Sequence, residues 1–374
     1  MQTATIPVFL LHGTPFERGW MHGSALRREI RTGVAHWKRE HGPKRMKTAR
    51  EQARESWTLL HARAPKVRAE LEGLAAGCDL PSLDLYLYSG FEFFATAPQA
   101  GCTALAFDSG DGAIVAQNWD GPPEAARGLA LFIHTGPDGF EMAVIATIGM
   151  LGWVGCNRYG LAFVNNDMML NCSSDGLPSQ AIRRLILAEP NVEAAVARLA
   201  ELPHMGGRSY VLGDARGGTR AVEVSPTLGM RAIEAEIVMH TNHALTADAA
   251  SIENIGGLKA TYPSSGQRLQ TLHRIVGAGK TIASAAAALR NTDGVPNAIC
   301  KSISPEEHTE TIFSVIFDCN AREMHLCAGK PDRGIYTTYR LTNPDAAAPD
   351  GRRVDSGRRK KRETKLPQLV PSDA

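Results

Sequence analysis

The chain has 374 residues, 43 % of them hydrophobic and 21 % charged, with a net charge of +2. That length suits one large or two ordinary globular domains, and the balance excludes a disordered chain. No apolar run reaches the roughly 18 residues of a spanning helix, and the start MQTATIPVFLLHG lacks a basic leader, so neither a membrane protein nor a secretory signal is expected.

Residues 15–95 read mainly as helices. Pro15 opens the first, and the Ala-, Leu-, Arg- and Glu-rich stretches 45–63 and 65–77 are good helix formers. Pro81-Ser82 begins another, with Ser82 as its expected N-cap. After Pro98 short apolar runs alternate with turn signals: TALAFD, Gly110-Asp111-Gly112, AIVAQNW, LALFIH, Pro137-Asp138-Gly139, FEMAVIATI, WVGCN and LAFVNN. Asp-Gly between apolar runs is a hairpin cue, so antiparallel sheet is expected. Helices return at 178–188 and 191–201, strands near 209–213, 220–225 and 236–241, and one helical stretch over 264–290. TIFSVIFD and EMHLCAG close the fold at 311–329. Residues 343–374, with the run Arg358-Arg359-Lys360-Lys361-Arg362, lack hydrophobic periodicity and read as a disordered basic tail. No dinucleotide or P-loop glycine motif occurs, so no nucleotide cofactor is expected.

Charge is uneven: residues 23–77 hold thirteen Lys/Arg against six Asp/Glu, while the body is mildly acidic. That is not the footprint of a dedicated nucleic-acid binder. Seven cysteines, an odd number without a Cys-x-x-Cys pair, point to reduced thiols in a cytoplasmic protein and to no metal site.

Gly101-Cys102-Thr103 opens the first convincing strand after a loop. Glycine admits close approach to its carbonyl. Attack by the Cys102 thiol there would cut the chain and leave Cys102 a free α-amino group, with an ordinary pKa of about 8, able to serve as the thiol's own base. Gln117-Asn118-Trp119-Asp120 ends the second strand of the proposed hairpin. Antiparallel pairing would return it to Cys102, as a site wall or simply as a hairpin end. In His240-Thr241-Asn242-His243 the Asn242 amide suits an oxyanion, whereas i, i+3 histidines at a strand end do not share a face for a metal.

Taken in order, these segments resemble the isopenicillin-N acyltransferase-like family (acyl-CoA:6-aminopenicillanic acid acyltransferase) of autoproteolytic cysteine enzymes among the N-terminal nucleophile (Ntn) hydrolases. His12-Gly13-Thr14-Pro15-Phe16-Glu17-Arg18-Gly19 with His22-Gly23 is similar to its N-terminal signature, and Thr309 to Pro331 to its closing strands. The resemblance implies an α+β fold, the αββα four-layer sandwich of two stacked antiparallel sheets. It implies self-cleavage between Gly101 and Cys102, giving a helical segment 1–101 that stays as a noncovalent subunit and a catalytic chain 102–342. It assigns Cys102 as nucleophile, Asn242 to the oxyanion and Asp120 to the surrounding polar network, with Thr103, Asn118, Trp119, His243 and Lys301 as substrate-binding candidates. Many members carry Ile-Cys-Arg where this chain has Ile299-Cys300-Lys301, and lysine lacks the bidentate fork of arginine.

The expected activity is hydrolysis of a small N-acyl or aminoacyl amide through a thioester on Cys102, without a cofactor. The alternative is acyl transfer onto an amine or a β-lactam nucleus, with acyl-CoA as a possible donor. Two rivals stand beside it: a papain-like pair of Cys102 with His243, and binding of nucleic acid or an acidic partner by the basic tail.

Overall fold

Thr14 starts the first helix with a capping box: its hydroxyl accepts the Glu17 N–H, and the Glu17 carboxylate accepts the Thr14 N–H. The computed structural model describes residues 5–94, 101–173, 175–276, 279–305 and 308–342. The Pro98-Gln99-Ala100 loop and the tail 343–374 lie outside the described residues.

Strand β1 (Val8–His12) precedes helix α1 (Pro15–Ala25). Helix α2 (Arg27–Arg63) is broken at Gly42, whose φ of 68° precedes Pro43. Then come α3 (Pro65–Gly77) and α4 (Ser82–Ser89). Pro81 takes the N-cap place of α4 and Ser82 is its first helical residue, without a side-chain cap. A tight turn of 3-10 helix covers Phe91–Phe94. The glycines of the N-terminal signature have a packing reason. A Cβ at Gly19 would run into the Glu70 carbonyl, and one at Gly23 into the Leu74 carbonyl. From the other side, Cβ atoms at Gly73 and Gly77 would strike the carbonyls of Phe16 and Trp20. Small residues on both faces thus let the α1 and α3 backbones touch.

The sheet region follows: β2 (Cys102–Asp108), β3 (Ala113–Gly121), β4 (Leu129–Thr135), β5 (Glu141–Thr147), β6 (Val154–Asn157) and β7 (Ala162–Met168). Helices α5 (Ser179–Ile186) and α6 (Val192–Glu201) lead to β8 (Gly207–Gly213), β9 (Thr219–Ser225), β10 (Gly229–Ile233) and β11 (Ile237–His240). Two short helices, α7 (Ala247–Ser251) and α8 (Ile255–Thr261), precede α9 (Ser265–Ile275) and α10 (Ile282–Leu289). The single stretch expected over 264–290 is therefore two helices, with a new capping box at Thr281 starting the second. Strands β12 (Glu310–Asp318), β13 (Glu323–Ala328) and β14 (Thr337–Arg340) complete the described fold.

Among the described residues the strands form two sheets, in the orders β1-β4-β5-β6-β7-β8-β9-β10 and β11-β2-β3-β12-β13-β14. Every pairing is antiparallel except β1 with β4. Ala104, Ala106, Val115, Val164, Val211 and Phe313 pack between the sheets. Leu60, Leu71, Ile182 and Leu199 cover the outer face of the larger sheet, and Leu272, Ala285 and Leu289 that of the smaller. The chain is thus the αββα sandwich, an α+β fold, as expected.

Candidate active site

The hairpin β2–β3 sets the geometry. Cys102 lies opposite Trp119 and Thr103 opposite Asn118. The ladder runs one residue further, with the Asp120 N–H donating to the Gly101 carbonyl at 2.7 Å. On the other side of the Gly101–Cys102 peptide, the Cys102 N–H donates to Asn242 Oδ1 at 3.1 Å. That peptide is held from both ends.

Strand alternation divides the predicted residues between two faces. Cys102 and Trp119 turn inward between the sheets, where Trp119 stacks on Phe313. Thr103, Asn118 and Asp120 turn outward, under helices α9 and α10. Asn118 Nδ2 donates to the carbonyls of Leu289 and Ile299, so it ties the sheet to α10 and does not face the thiol. Thr103 Oγ1 is a hydrogen-bond partner of Arg268, and Asp120 Oδ1 accepts from Thr311 Oγ1 at 2.7 Å. Lys301 is buried, with its ammonium donating to Thr309 Oγ1 and its backbone N–H to Thr311 Oγ1. Its backbone reaches Asp120 through Thr311.

Asn242 has its side-chain orientation fixed by its neighbours. Cys102 N–H and Arg268 Nη2 both donate to Oδ1, and Nδ2 donates to the Asp167 carbonyl at 3.2 Å. One of the two Nδ2 hydrogens is thus used on the Asp167 carbonyl. Ser265 Oγ accepts the Asn242 backbone N–H and bonds His243 Nδ1 at 2.8 Å. His243 also meets Thr241, and no hydrogen bond joins it to Cys102. Burial, then His240 and Arg268, lower the His243 pKa. The papain-like pairing therefore has no geometry to support it.

Sequence reading missed Arg268 and the segment Asn165-Asn166-Asp167. From α9, Arg268 donates to the Cys102 carbonyl, to Thr103 Oγ1 at 2.8 Å and to Asn242 Oδ1 at 2.7 Å. Asn166 Nδ2 donates to the same Cys102 carbonyl at 3.1 Å. Asp167 pairs with Arg208 at 2.9 Å and accepts from Tyr262 at 3.4 Å. Arg268 looks from sequence like any solvated helix arginine. The run Asn-Asn-Asp closing an apolar strand was the available signal, since three buried polar groups need partners.

The thiol of Cys102 is buried. Burial first, then the charges of Asp167 and Asp120, push its pKa well up, against the opposing pull of Arg268 and Arg183. Among the described residues no cluster of His, Cys, Asp or Glu is arranged to hold a metal, and no helix is long and apolar enough to cross a membrane.

Residues 107–333 match the family model described as Acyl-coenzyme A:6-aminopenicillanic acid acyl-transferase. The chain is 25 % identical over 334 residues to the acyl-coenzyme A:6-aminopenicillanic-acid-acyltransferase 40 kDa form of Emericella nidulans, covering 86 % of this chain and 92 % of that one. Among solved structures it is similar to a conjugated bile acid hydrolase from Clostridium perfringens (TM-score 0.40, 11 % identity, 65 % of this chain and 97 % of that one). It is also similar to penicillin V acylase from Agrobacterium tumefaciens (TM-score 0.38, 15 % identity, 61 % and 82 %). The family model spans well over half of the chain, and the chain belongs to the acyl-coenzyme A:6-aminopenicillanic acid acyl-transferase family.

Proposed function

We propose that the protein is a self-activating cysteine amidohydrolase that works through a thioester on Cys102. The observation that carries this reading is the grip on the Gly101–Cys102 peptide, with Asp120 N–H on its carbonyl and Asn242 Oδ1 on its N–H. In self-cleavage the Cys102 sulfur attacks the Gly101 carbonyl carbon. Negative charge develops on the Gly101 oxygen, where the Asp120 N–H already points. The C–N bond breaks as Cys102 N takes a proton, leaving an ester of Gly101 on sulfur. Water then releases the Gly101 carboxylate and restores the thiol.

The freed α-amine keeps Asn242 Oδ1 as its acceptor and receives the thiol proton. Arg268 and Asn166 hold the Cys102 carbonyl and so fix the residue that carries both nucleophile and base. A substrate amide is attacked, its amine leaves with a proton from the α-ammonium, and the acyl group remains on sulfur until water takes it. A reducing cytoplasmic setting, the expectation from the odd cysteine count, suits such a thiol.

The family match favours one second reading, acyl transfer, in which an amine or a β-lactam nucleus replaces water. The donor is then an amide or an acyl-CoA thioester. Incubation with an acyl amide, with and without an amine acceptor, tests both. Acylation on the peptide that begins at Cys102, absent in Cys102→Ala, is the expected result. Free acid as product supports hydrolysis, and acylated acceptor supports transfer. Turnover undiminished in Cys102→Ala would refute both.

A further inference from the structure

Glu92 is a buried carboxylate in an otherwise apolar turn, Phe91-Glu92-Phe93-Phe94, ten residues before Cys102. Its Oε1 accepts from Arg208 Nη2 at 3.0 Å and from the Ser179 N–H that starts α5 at 2.9 Å. The second Arg208 nitrogen, Nη1, lies 2.9 Å from Asp167 Oδ1, and the guanidinium rests over the Phe91 ring. The Asp167 carbonyl accepts from Asn242, which in turn holds the Cys102 N–H. Two buried carboxylates therefore share one arginine, on a path that ends at the nucleophile. Glu92 Oε2 and Arg208 Nε make no hydrogen bond among the described residues. Desolvation makes such an arrangement a poor source of stability.

We propose that Glu92, from the segment before the cut, is a positioning residue of the active site: by dividing the Arg208 fork it sets where Asp167 stands and how much of its charge reaches the thiol. This rests on the reading of Cys102 as nucleophile. The groups around it are Arg208 and Tyr210 from β8, Asp167 from β7, Arg183 from α5, Tyr262 after α8, and Tyr86 from α4. Asp120 from β3 and Arg268 from α9 face the thiol from beyond them. The segment that self-cleavage separates from the nucleophile thus supplies a charge that tunes it.

The test is the pH dependence of Cys102 alkylation by iodoacetamide, read by the mass of the Cys102 peptide. Glu92→Gln removes one negative charge, leaves Arg208 to Asp167 alone, and lowers the thiol midpoint by about one unit. Glu92→Asp keeps the charge and the wild-type midpoint. Glu92→Gln combined with Arg208→Gln removes the positive charge that touches Asp167 directly, so the midpoint rises above wild type. That double change also decides the matter if the single variant does not fold. An unmoved midpoint in Glu92→Gln, or in the double variant where only that one folds, overturns the proposal. A wild-type chain that is never cut before Cys102 refutes the reading of Cys102 instead, and the titration runs on either form, so the two failures are separate.

Discussion

Arg268 and His22 show what single side chains do here. Arg268 binds the Cys102 carbonyl, its neighbour Thr103 and the Asn242 oxygen with one planar fork. Arg268→Lys keeps the charge but cannot span three acceptors. It is expected to slow both self-cleavage and turnover by about 10²-fold, the scale of one lost preorganised donor, measured by intact mass over time and by initial rates. His22 is buried, accepts the Gly149 N–H, and has its pKa lowered to about 3, by burial and then by Arg184. The unfolded chain protonates His22 near its ordinary value of about 6.5 while the fold does not, so stability falls as pH drops from there toward 3. The loss is up to about 1.4 kcal/mol per pH unit for this one proton. His22→Gln, which keeps an acceptor without the titration, flattens that slope in denaturant melts taken across the range. Cys102, Asp120 and Asn242 could be singled out from sequence because they sit in short motifs beside a strand, and the fold gathers them around one peptide bond. Arg268 was not, since nothing local marks a helix arginine that turns inward.

At the scale of elements, the hairpin β2–β3 carried the reading furthest. Its apolar runs and Asp-Gly turn announce the pairing, and the register places residues 118–120 beside Cys102. Which face each side chain takes also follows from alternation, yet Asn118 was read as a site residue because its true partners lie far away in sequence. They are the carbonyls of Leu289 and Ile299, at the end of α10 and in the segment after it. Asn118→Leu leaves both carbonyls buried without that donor, at about 1–3 kcal/mol each, and is expected to lower the denaturation midpoint before it alters the chemistry. Strand β1 was missed because a single five-residue run says nothing of a partner more than a hundred residues on. The contact of α1 with α3 is equally sharp. Gly23→Ala drives a methyl into the Leu74 carbonyl and is expected to cost about 1–3 kcal/mol as overpacking, read as a lower midpoint at unchanged m-value.

For the molecule as a whole, the stretch before Cys102 is built into the sandwich. It supplies β1 to the larger sheet, covers that sheet with α2 and α3, and crosses to the rest of the chain through Glu70–Arg184 and Glu92–Arg208, both buried. A chain cut before Cys102 should therefore elute as one species in native buffer and separate in denaturant. Layer order was legible from the succession of helical and strand signals together with the family resemblance. The charges that cross from one part to the other were not, because each partner alone reads as a surface residue.

Intact mass under denaturing conditions, beside Cys102→Ala, tests the central claim most directly. Two fragments that meet between Gly101 and Cys102, present in the wild type and absent in the variant, are the predicted result. A single full-length chain in the wild type, in a preparation that turns over an acyl amide, would contradict it.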